Sequence, residues 1–82
     1  MELARHAARH RRWARAERLY RLVLRLCPGQ PKLWVQLGHM LKEQGAMAAA
    51  LGAYRMAERL APGEGDAVRH MAAVLERLLL KV

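Results

Sequence analysis

Slid over itself by 34 residues, the sequence matches itself along most of its length. "RLCPGQP" falls on "RLAPGEG", so that Arg25, Leu26, Pro28 and Gly29 coincide with Arg59, Leu60, Pro62 and Gly63. Upstream, Ala16 falls on Ala50, Tyr20 on Tyr54, Arg21 on Arg55 and Trp13 on Met47. Three positions recur three times: Leu3, Leu37 and Met71; Ala4, Gly38 and Ala72; Ala7, Leu41 and Leu75. A period this short restricts the fold severely, because a unit of that size cannot bury its own apolar face and must stack on its neighbours.

Each unit holds two helical patterns. The first runs from about Pro31, an allowed first helical residue, to Gln44, and Gly45 supplies the turn that ends it. The second runs from about Met47 to Leu60 and stops before Pro62 and Gly63, which cannot continue a helix. Gly38 lies among the apolar residues of the first pattern, beside Trp34, Leu37 and Leu41. Glycine inside a helix costs about 1 kcal/mol relative to alanine, so its presence predicts a second helix at very close approach. The small residue at Ala4, Gly38 and Ala72 is expected to receive a large side chain, Tyr20 or Tyr54. Ala16 and Ala50 are expected to play the same part in the second helices.

The stretch from Trp34 through Leu37, Gly38, Ala50, Tyr54 and Ala57 to Pro62 resembles a complete tetratricopeptide repeat, W-x2-L-G … A-x3-F … P, with tyrosine in place of phenylalanine. Leu3, Ala4, Ala16, Tyr20 and Pro28 resemble a preceding repeat, and Val68, Met71, Ala72 and Leu75 the first helix of a third. The resemblance implies an all-α solenoid of helical hairpins in a single domain of five helices. Its parts are a first repeat over 1–30, a full repeat over 31–64 and a terminal helix over 65–82. It also implies a bacterial, non-enzymatic scaffold for protein–protein interaction.

Composition agrees with a small soluble domain. The chain has 82 residues, 54% of them hydrophobic. Its longest apolar run, "AMAAALGAY", is about half of what a membrane span needs. No secretory leader opens the sequence, and the lone Cys27 excludes an internal disulfide, so a reducing, cytoplasmic setting is expected. Ser, Thr, Asn, Ile and Phe are absent and arginine far outnumbers lysine, a skew best explained by the codon usage of a GC-rich bacterial genome.

That inventory is poor in catalytic chemistry. Without serine or threonine the candidate nucleophiles are Cys27, lysines and tyrosines, and Cys27 reads as a small buried hydrophobe on the Trp13, Ala16, Tyr20 face. His6 and His10 have a spacing compatible with a metal, but four arginines crowd them and no third ligand is near, so they read as solvated. No enzyme activity, metal or other cofactor is expected.

Binding is the better use of these residues. The net charge of +8 is concentrated in the first third of the chain. Arg11, Arg15, Arg18, Arg21 and Arg25 fall within an arc of about 120° on a helix from Arg11 to Leu26. Such a stripe is first a solvated face, and secondly a footprint for nucleic-acid phosphate or anionic lipid. No aromatics are interleaved to stack bases, which ranks nucleic acid below a protein partner.

The resemblance places the first helix of each unit on a concave side. There the partner groove is expected to comprise Lys32, Val35, Gln36, His39, Lys42 and Glu43 of the middle helix. The flanking helices contribute Arg5 and Arg9 before it and Arg69, His70 and Arg77 after it, with Asp66, Ala73 and Glu76 nearby. This mixed, net positive surface predicts an acidic or C-terminal peptide as guest. A chaperone-type carboxylate clamp is not expected, since asparagine is absent and Val35 and Ala73 take positions where polar contacts would be needed.

The last helix ends in "VLERLLLKV", and Leu78, Leu79, Leu80 and Val82 find no partner in the pattern. Two readings are open, and both can hold: these residues are covered by further chain of a longer protein, or two copies cover each other's ends as a homodimer, with Leu19, Leu22 and Leu26 as further coverable residues. Similar tracts accompany bacterial glycosyltransferase domains, so a module appended to an enzyme is the remaining alternative.

Overall fold

The computed structural model describes residues 3–5, 12–64 and 66–80. Among the described residues helix occurs at five places and strand at none. Residues 3–5 are helical (α1). They are followed by α2 (Trp13–Leu26), α3 (Pro31–Glu43), α4 (Met47–Leu60) and α5 (Ala67–Leu80). From α2 to α5 the main packing is between helices consecutive in sequence, most of all between α3 and α4, the contact pattern of a stacked array.

Apolar residues three and four apart give each helix its inner face. Ala16, Tyr20 and Leu24 are buried on α2; Leu37, Gly38, Met40 and Leu41 on α3; Met47, Ala50, Ala53, Tyr54 and Ala57 on α4. The core contains no buried polar or charged residue among those described. Helix ends are set by backbone chemistry. The residues that precede α2, α3 and α4, namely Arg12, Gln30 and Ala46, make no side-chain cap, as expected of a chain without Ser, Thr or Asn. Gly45 adopts φ +81° after α3, and the next amide, that of Ala46, bonds back to the Leu41 carbonyl at 2.9 Å. A side chain in that left-handed conformation would be strained.

The close approach predicted from Gly38 is present. A Cβ built on Gly38 would stand 2.7 Å from Cδ1 and 2.8 Å from Cζ of Tyr54. The tyrosine ring thus occupies the space of the missing side chain, and both residues are buried. Ala4, Ala16 and Ala50 are likewise buried.

Ala72 departs from the expectation. It aligns with Gly38, yet it is exposed, because no described helix covers its side of α5 as α4 covers α3. Cys27 is exposed too, where burial was expected. It is the residue after α2, at φ −133° and ψ 69°, so the chain has already left the helical path that would have carried its side chain onto the Tyr20 face.

Side chains tie the layers together. Glu17 of α2 accepts Arg21 Nε at 2.7 Å and Gln44 Nε2, beyond α3, at 2.9 Å. The Arg21 bond holds the Glu17 carboxyl below the usual carboxylate range, against an opposing cost of burial. Trp34 Nε1 donates to the Pro28 carbonyl at 2.8 Å, fastening α3 to the turn before it. The first aromatic and the proline of the repeat pattern are therefore partners in one bond, across adjacent units.

Candidate functional site

α3 and α5 lie on the same side of α4, and the trough between them is open. It holds about 370 Å³, a volume at the lower end of small-molecule sites. Pro31, Lys32, Val35, Gln36 and His39 come from α3; Ala67 and His70, with Asp66 just before them, from α5. Ala57 and Glu58 from the end of α4, with Ala61 just after it and Glu64 beyond, close the base and one rim.

The interior wall is an aromatic cluster. His39 Nδ1 and the Tyr54 hydroxyl are 2.7 Å apart. The phenol, the more acidic partner, donates, and neutral His39 accepts. The ring of His70 stacks on Tyr54 with centroids 5.2 Å apart, and meets His39 edge-on at 4.5 Å. The helical period puts His39 one step past Gly38, so the same contact that seats the Tyr54 ring carries its hydroxyl to the imidazole.

Burial pushes His39 down to about 4, with smaller contributions in the same direction from His70 and Lys42 against Glu43. His70 is lowered as well, by burial first and then by Lys42, with Asp66 opposing. Tyr54 is raised to about 12 by burial, helped by Glu43. At neutral pH the cluster is therefore uncharged, and it offers ring faces and a neutral polar edge. The charge of the trough is confined to its rims.

The residues expected in the partner groove divide three ways. Lys32, Val35, Gln36, His39 and His70 are brought together around the trough, and Asp66 joins them. Lys42, half-buried, sits near both imidazoles. Glu43, Arg77 and Arg5 are exposed and line no part of it, Arg69 is exposed and pairs with Asp66 at 2.9 Å, and Arg9 lies outside the described residues. His39, expected in the groove, is half-buried there and bonded to Tyr54.

Ala57, Glu58, Ala61 and Glu64 were missed, since attention to the first helix of each unit overlooks the end of the second. Part of the signal was present: Ala57 is three residues beyond Tyr54, so a small residue continues its face of α4, and Ala61 follows directly after the helix ends. The three carboxylates Glu58, Glu64 and Asp66 also make the α5 rim less cationic than expected. Glu58 already accepts the Gly63 amide at 3.0 Å.

Other expected sites lie elsewhere. Arg15, Arg18, Arg21 and Arg25 are exposed on α2, away from the trough, and Arg21 is engaged by Glu17. Leu22 and Leu26 are exposed, whereas Leu19 packs on the core. Leu78 also packs on the core, while Leu79 and Leu80 are exposed. Arg11, His6, His10 and Val82 lie outside the described residues. Among the described residues no group of three potential metal ligands gathers, and no helix is long and apolar enough to cross a membrane.

A family model described as tetratricopeptide repeat matches residues 1–40. Comparison with curated proteins gives no match.

Proposed function

The chain carries a tetratricopeptide repeat, the mark of a protein–protein interaction module, and we propose that it acts without catalysis by holding a segment of another protein between α3 and α5. The observation that carries this reading is the open trough itself, with an apolar base of Val35, Ala57, Ala61 and Ala67 and a neutral wall of His39 and His70. Such a site takes a bulky apolar or aromatic side chain as its anchor, and ring contacts with the imidazoles add to the burial.

Charge sets the direction of the guest. Lys32 and Lys42 stand on α3, and Glu58, Glu64 and Asp66 on the opposite rim. An acidic residue beside the anchor meets the lysines, and a neutral or basic one runs toward the carboxylates. Lys32, Glu64 and Asp66 are exposed and Lys42 and Glu58 half-buried; at such partly solvated positions charge contacts are weakened by salt, so they orient the segment while the anchor supplies most of the affinity.

Selection from a random peptide library displayed on phage tests this. Peptides that pair an aromatic or bulky aliphatic residue with an adjacent carboxylate are expected to enrich. Affinity of the enriched peptides should fall by about tenfold on Lys32→Glu with Lys42→Glu, the size of two surface charge contacts and their reversal. The helical circular dichroism should stay unchanged. Enrichment indifferent to both substitutions would overturn the assignment of this trough.

A further inference from the structure

α5 has one face inside the fold and another outside it. Ala67 and Val74 are buried, and Met71 and Leu78 pack on the core. On another side Val68 (53% exposed), Ala72, Leu75 (45%) and Leu79 (72%) form a continuous apolar line. Their spacing of four, three and four is a heptad seam. Shifted back by 34 residues, Val68, Ala72 and Leu75 become Trp34, Gly38 and Leu41, on the side of α3 that α4 covers. The face is thus of a kind that receives a helix.

Two further properties say which helix. The seam is self-complementary in size, since a small residue, Ala72, sits three positions from a large one, Leu75. Two copies of α5 running antiparallel place Ala72 of each against Leu75 of the other, and Val68 against Leu79. The flank is self-complementary in charge. Arg69 and Glu76, both exposed, are seven residues apart and share one edge of the seam. In an antiparallel pair like edges meet with their order reversed, so Arg69 of each copy lies beside Glu76 of the other, twice. A parallel pair would instead bring this edge against Met71 and Leu78, which are turned into their own core. The local bond of Arg69 to Asp66 is between two exposed groups and gives little resistance to reorientation.

We propose that α5 pairs antiparallel with α5 of a second copy through Val68, Ala72, Leu75 and Leu79, flanked by two reciprocal Arg69–Glu76 ion pairs. The proposal rests on the reading of the chain as an interaction module and gives α5 a specific partner. It also separates Leu79 from Leu80, which is as exposed but lies about 100° around the helix and takes no part.

Light scattering on the 82-residue chain, over a wide range of concentration and at low and high salt, tests it. Twice the 9.3 kDa chain mass is expected at high concentration in both salts, with Leu80→Ala unchanged. Leu75→Glu should give the single-chain mass with unaltered helical circular dichroism. Arg69→Glu or Glu76→Arg alone should raise the dissociation constant by about tenfold at low salt, while the double swap restores it to within about threefold. A single-chain mass at every concentration would overturn the proposal, as would a dimer indifferent to Leu75→Glu. Failure of the double swap to restore pairing would overturn the antiparallel arrangement. Peptide binding by the wild-type and Leu75→Glu chains reads the trough separately: its retention in both is expected, and its absence in both, with the wild type paired, would count against the groove and leave the pairing standing.

Discussion

The contact of Gly38 with Tyr54 shows how one missing side chain fixes a helix crossing. Tyr54 cannot swing aside to make room, because its ring is buried, stacked on His70, and bonded through its hydroxyl to His39. Gly38→Leu should therefore destabilise the fold by about 2 to 3 kcal/mol, the upper part of the overpacking range, read as a lower urea midpoint. His39 gives a second prediction at this scale. Its folded pKa, about 4, is depressed from 6.5, so as pH falls the unfolded chain takes up the proton first. The contribution of neutral His39 is fully present above about pH 7 and is lost progressively between about 6.5 and 4. His70 shifts in the same direction and reinforces the slope. The urea midpoint should fall across that window in the wild type and less steeply in His39→Gln.

Among the elements, the helices rely on packing and backbone turns because side-chain caps are missing. Gln30 precedes Pro31 with an extended backbone, φ −102° and ψ 101°, is exposed, and makes no cap. Its carbonyl receives the Leu33 amide at 3.1 Å, the geometry of a residue one step before a helix. Gln30→Asp should supply an acceptor to the free amides of the first turn and a negative charge at the positive end of α3, stabilising by about 1 kcal/mol. A thermal melt that shows no rise would mean that this turn is held elsewhere, for instance by the Trp34 bond to Pro28. The opposite end of the same helix needs Gly45 for a reason the sequence displays openly, a positive φ.

Across the whole molecule the two proposed binding surfaces are compatible, because they occupy different sides of α5. His70 and Asp66 face the trough between α3 and α5, whereas Val68, Ala72, Leu75 and Leu79 face away from the core. A paired molecule would present two troughs, so a partner carrying two copies of the recognised segment would bind with added avidity. The arginines of α2 are exposed and lie on neither surface.

The fold was legible in the sequence because a 34-residue period repeats the same physical problem in each unit, and small residues, prolines and glycines solve it by strictly local means. α4 begins and ends at the residues predicted, Met47 and Leu60, and α3 ends one residue early. The tertiary structure alone decided what each repeated position faces. Ala4 and Ala72 align with Gly38, yet Ala72 is bare because burial depends on a neighbour being there and not on the residue itself. The pattern places His39 on the groove side of α3, but only the fold brings Tyr54 and His70 to it. The trough, likewise, is assembled from the start of one helix, the end of the next and the start of a third, and proximity of that kind is created by packing.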